Sequence, residues 1–76
     1  MAGLRKVSGK DAVKILCNKF GFQITGRKGS HVRLSKQGEN GKIGTVVPMH
    51  SELKIGTLKA ILKQVSISAE DFAKFI

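Results

Sequence analysis

The spacing of apolar residues changes period twice along the chain. Over 12–20 it is helical: Ala12, Val13, Ile15, Leu16 and Phe20 recur on one side and leave Lys10, Lys14 and Asn18 outside. Ser8 and Asp11 form the S-x-x-D spacing of a helix start, in which the serine accepts from an early backbone N–H. Gly21 predicts the stop, because glycine takes the left-handed conformation at low cost. The period then shortens to two. Phe22 and Ile24 alternate with Gln23 and Thr25 as a first strand, and Val32 and Leu34 alternate with His31, Arg33 and Ser35 as a second. Residues 42–47 read as a third strand, in which Gly44 suggests a bulge and Pro48 marks the end. Between the strands, "RKGS" reads as a turn and the six residues "KQGENG" as a hairpin loop.

Helical spacing returns after a connector at 49–53. Leu58, Ile61, Leu62 and Val65 form one stripe, with Lys54, Lys59 and Lys63 lying off it. Ser68 and Asp71 repeat the S-x-x-D start before a short final helix carrying Phe72 and Phe75. Short loops between three strands favour an antiparallel meander that is covered on one face and open on the other. The expected fold is therefore α+β: a helix, a three-stranded antiparallel sheet, a second helix and a short C-terminal helix. Both longer helices share the covered face, and the polar side of the second strand, with His31 and Arg33, faces solvent.

Composition sharpens this picture. Seventy-six residues, 41% of them hydrophobic, suffice for one modest core. The expectation is a single domain over 1–76, with 1–7 as a flexible N-terminal tail. Fourteen Lys and Arg against 5 Asp and Glu give a net charge of +9. Small domains usually carry about 2 to 8. Such an excess is self-repelling, so a polyanionic partner is the first explanation to test against a merely soluble basic surface. Cys17 is the only cysteine, which rules out an internal disulfide and a Cys-based zinc site and leaves it the role of a small buried hydrophobe. The opening "MAGLRKVSGK" is too short and polar for a secretory signal, and no apolar run approaches the ~18 residues of a membrane span. A reducing, cytoplasmic location with no membrane partner is expected.

The chemistry is narrowed by what is scarce. Asp11, Glu70 and Asp71 fall in first turns of helices, where negative charge meets the dipole, leaving only Glu39 and Glu52. A two-metal nuclease needs several converging carboxylates, so no metal site is expected. There is no Trp or Tyr, and Phe20, Phe22, Phe72 and Phe75 fit core stripes, which argues against a base-stacking platform and for backbone contact by Lys and Arg. His31 stands on the polar face beside Lys28, Ser30 and Arg33. An imidazole exchanges protons near neutral pH and neighbouring cations can stabilise charge on a phosphate, so His31 reads either as a catalyst or as a solvated strand histidine that touches phosphate. His50, after Pro48, reads as a loop residue that caps or braces the next helix; a metal-binding histidine pair would be a poor site without further ligands. "KIGTLK" (54–59) reads as an ordinary helix start capped by Gly or Thr, or as backbone N–H groups that bind a phosphate.

Taken together, "VSGKDAVKILCNKFGF", "GRKGSHVRL", "VVPMHSELKIGTLKAILKQ" and "ISAEDF" resemble the HicA-type (YcfA-like) mRNA interferase toxins of toxin–antitoxin pairs. The likeness runs over nearly the whole chain, and its order and spacing are more specific than either half alone. It implies a fold like the double-stranded-RNA-binding domain, an endoribonuclease needing no metal or other cofactor, and one key histidine that maps onto His31. Gly29 and Ser30 match the motif around that histidine, and Arg27, Lys28 and Arg33 would hold the RNA backbone. The implied partners are mRNA and a cognate HicB-type antitoxin that covers the active face. Ser66 stands where the family often ends its second helix with glycine. The alternatives are a non-catalytic RNA- or DNA-binding module using the same basic face and a small ribosome-associated structural protein.

Overall fold

The computed structural model describes residues 3–76. Its elements are α1 (Gly9–Phe20), β1 (Gln23–Lys28), β2 (His31–Gly38), β3 (Gly41–Pro48), α2 (Ile55–Gln64) and α3 (Ala69–Ala73). The strands form one antiparallel sheet in the order β1-β2-β3. This is the α+β order that the periodicity predicts, and it agrees with the double-stranded-RNA-binding-domain-like fold that the resemblance implies.

Local chemistry explains the boundaries. Ser8 caps α1 and Ser68 caps α3, their hydroxyls accepting from Asp11 N at 2.9 Å and Asp71 N at 3.0 Å. Gly21 ends α1 at φ 78°, and its N–H reaches back to the Leu16 carbonyl. Ser66, at φ 57°, is the only non-glycine with positive φ among the described residues, and it follows the end of α2 directly. A glycine at this position would meet that backbone requirement without strain.

The core joins Ala12, Val13 and Leu16 of α1 to Val32, Leu34 and Val47 of the sheet and to Leu58, Ile61 and Leu62 of α2, with Phe72 of α3 fully buried. Burial of these side chains, worth roughly 1.5–3 kcal/mol each for the larger aliphatics and Phe, is the main force holding helices to one face of the sheet. Cys17 packs half-buried against this core. Of the segment expected as a tail, residues 1 and 2 lie outside the described part. Residues 3–6 have no regular secondary structure, while Val7 is buried and its carbonyl accepts from Leu53 N at 2.7 Å.

Several sequence expectations need correcting. Arg27 and Lys28 belong to β1, so the first turn is only Gly29 and Ser30; Gly29 at φ 59° supplies the positive φ that a two-residue hairpin demands. Likewise β2 and β3 pair down to Gly38 opposite Gly41, which shrinks the six-residue loop to Glu39 and Asn40. Gly44 is not a bulge: β3 pairs in unbroken register, and the glycine permits close approach, since an added Cβ would lie 3.1 Å from the Leu34 carbonyl oxygen. The irregularity is in β1, between Ile24 and Gly26. Ile24 faces the helix side but is 59% exposed, because α1 and α2 pack against β3 and leave that edge uncovered. Ser35 is buried rather than exposed, a small side chain set low between Gln23 and Gly44 in register. Phe75 lies past the end of α3 and is exposed, resting edge-on against the half-buried Phe20 with ring centroids 5.6 Å apart.

Candidate active site

Register decides which side chains share the open face. Directly opposed residues of an antiparallel pair project to the same side. Val32, Leu34 and Val47 are in the core, so their neighbours His31, Arg33 and Val46 project the other way. Two rows follow across the sheet. Lys28, His31 and Pro48 form one; Gly26, Arg33 and Val46 form the next.

Lys28 reaches this face only because of the bulge. Phe22 and Ile24 point to the helix side, and uninterrupted alternation would send Gly26 and Lys28 there as well. The extra residue at Thr25 reverses the alternation. Lys28 therefore stands beside His31, while Arg27 pairs with Val32 and leaves the edge strand from the helix side. Of the basic residues expected at the site, Lys28 and Arg33 share the face of His31, and Arg27 sits on its rim. Gly29 and Ser30 form the turn that joins Lys28 to His31, and the Ser30 carbonyl accepts from Met49 N at 2.6 Å. That bond ties the hairpin to the chain leaving β3 and holds the N-terminal end of β2 in place.

Gly26, Arg27, Lys28, His31, Arg33 and Val46 line a hollow of about 320 Å³. Ligand pockets start at roughly 300 Å³. Its surface is basic and unpaired: the ion pairs among the described residues are Lys6–Glu52 at 3.8 Å and Lys74–Asp71 at 3.4 Å, and neither includes a residue of the hollow. Arg27, Lys28 and Arg33 thus have no carboxylate to neutralise them. Such a surface attracts polyanions. No group of three or more His, Cys, Asp or Glu comes together among the described residues. The cations, with an exposed imidazole between them, can bind a phosphate and exchange a proton beside it.

The other candidates are placed elsewhere. The His50 carbonyl accepts from Gly9 N at 2.9 Å, so this residue braces the start of α1, not the following helix. At the start of α2 neither Gly56 nor Thr57 is the cap; Lys54 holds that position and makes no side-chain cap bond. Sequence reasoning missed Val46 and Gly26 as lining residues. Val46 sits in the run "TVVP", whose apolar neighbours hide its orientation, and Gly26 follows a bulge that no residue announces.

The fold and this basic open face define a small double-stranded-RNA-binding-domain-like protein that exposes His31 among cations on the open side of its sheet. Residues 9–67 match the model of the HicA toxin of bacterial toxin–antitoxin systems, and the chain belongs to that family. It is therefore a toxin of a toxin–antitoxin pair, which implies an antitoxin partner. No curated protein and no solved structure matches the chain. No helix among the described residues is long and apolar enough to cross a membrane.

Proposed function

We propose that this toxin is an endoribonuclease that cleaves mRNA at the open face of the sheet, with His31 transferring the proton and no metal taking part. The observation that supports this most directly is the row Lys28–His31 beside Arg33: an exposed imidazole between two cations that have no acidic partner. Lys28 and Arg33 hold the phosphate and offset the charge that builds on it in the transition state. His31 takes the proton of the adjacent 2′-hydroxyl as its oxygen bonds to phosphorus. The bond from phosphorus to the 5′-oxygen breaks, and that oxygen leaves with a proton from water, Lys28 or Ser30. Products are a 2′,3′-cyclic phosphate and a 5′-hydroxyl, and the nucleophile comes from the RNA itself, so no metal-bound water is required.

The antitoxin, of the HicB type, silences the toxin by covering this face. Desolvating Lys28 and Arg33 without partners would be costly, so the covering surface carries acidic or strongly hydrogen-bonding groups. The test is incubation of purified toxin with mRNA in EDTA, with and without the antitoxin. Cleavage that persists in EDTA and stops on adding antitoxin is the expected result. Cleavage that EDTA abolishes and a divalent cation restores would overturn the metal-free chemistry. Binding without any cleavage would favour the non-catalytic module.

A further inference from the structure

The hollow at His31 does not end there. A second, larger hollow of about 690 Å³ adjoins it through Arg33 and Val46, which line both; Ser35, Lys42 and Gly44 carry it along the open face, and Thr45 with Gln64 of α2 also line it from the covered side. Glycines keep the surface low on each side: Gly26 opposes Arg33, and Gly44 opposes Ser35, where a side chain would otherwise stand. The two hollows form one trough along β2 and β3. Lys42 marks its far end, paired with Gln37 six residues beyond His31, about 20 Å away at ~3.3 Å per residue. Lys42 has no ion-pair partner among the described residues, and Val46, 43% exposed, is the large apolar side chain of the trough.

We propose that this trough binds single-stranded RNA over several nucleotides, with Lys42 clamping a phosphate distant from the cut and Val46 touching a base beside it. The inference rests on the ribonuclease reading for the identity of the ligand, but the binding surface extends beyond the proposed catalytic residues. Cations at both ends and in the middle suit a phosphate backbone, and one apolar contact without aromatic side chains suits weak, sequence-tolerant base contact.

The test measures equilibrium binding on a His31→Ala background, which keeps the RNA intact. One RNA is long enough to span the trough and the other is a dinucleotide. Adding Lys42→Gln should lower the salt slope for the long RNA by about 0.7, so that the affinity ratio of parent to variant shrinks about 2.6-fold between 50 and 200 mM salt. The dinucleotide, too short to reach Lys42, should show no such change in slope. Lys63→Gln, on the exposed side of α2, should leave both ligands unaffected. Val46→Asp should weaken both, since it sets a negative charge opposite Arg33. A parent slope for Lys42→Gln on the long RNA would overturn the trough, as would a loss seen only toward the antitoxin. If the wild type cuts RNA while these binding results fail, the trough alone is wrong; if they hold and the wild type cuts nothing, the nuclease reading alone is wrong.

Discussion

Gly9→Ala is a demanding test of how the site is braced, because the change usually helps a helix. At an unobstructed helical position alanine is favoured over glycine by roughly 0.5–1 kcal/mol. At Gly9, however, an added Cβ would overlap the Pro48 carbonyl oxygen and come within 2.8 Å of Met49 Cα. Both are backbone atoms and cannot swing aside. The same glycine donates to the His50 carbonyl at 2.9 Å, a bond that would lengthen as the segments part. Overpacking costs about 1–3 kcal/mol and a lost hydrogen bond about 0.5–1.5 kcal/mol; against the propensity gain, the net loss is about 0.5–4 kcal/mol, with its middle at about 2 kcal/mol. A chain of 76 residues has a total stability of about 4–11 kcal/mol. At that middle loss of about 2 kcal/mol the midpoint of thermal unfolding, followed by circular dichroism, should fall by about 8–16 °C. Gly56→Ala is the comparison: nothing lies within 4 Å of its added Cβ, so it should be neutral or stabilising by up to about 1 kcal/mol. A Gly9→Ala protein as stable as the parent would refute the close approach of α1 to the exit of β3. Because Pro48 pairs with His31 and Met49 N binds the Ser30 carbonyl, any folded remainder should also cut RNA more slowly.

Two further predictions concern stability. Ser66→Gly should stabilise by about 0.5 kcal/mol, or about 2–4 °C, because relief of the left-handed backbone at φ 57° exceeds the added entropy of the unfolded glycine; a lower midpoint would contradict it. Burial pushes the Cys17 thiol upward from its ordinary pKa, so the folded state favours the neutral thiol. The stability this contributes is complete below the unfolded thiol's pKa and is lost as pH rises through the folded one. At neutral pH, alkylation should be slower in the folded protein than in the denatured chain, and equal rates would contradict it.

The sequence carried most of the fold because its punctuation is local. Ser8, Gly21 and Ser68 act within one helical turn, and their caps are where the spacing puts them. The bulge at Thr25 was illegible because nothing in "QITGRK" differs from an ordinary strand, and the shift shows only in pairing with β2. That one residue decides whether Lys28 or Arg27 stands beside His31. Gly44 misled for the converse reason: in sequence, a glycine that relieves close packing looks the same as one that permits a bulge. The candidate histidine was visible from alternation with Val32 and Leu34, whereas the hollow beside it depends on cross-strand rows and could not be read from one strand.

The central claim is that the imidazole of His31 transfers a proton at the scissile phosphate, and single-turnover cleavage by His31→Ala tests it directly. His31 is exposed and packs against nothing in the core, so the variant should fold with a stability within about 0.5 kcal/mol of the parent. With protein in excess over RNA, its cleavage rate should fall by roughly two to four orders of magnitude. RNA affinity should fall only slightly, because Lys28 and Arg33 still hold the backbone. A folded His31→Ala protein that cuts RNA at the parent rate would contradict the claim.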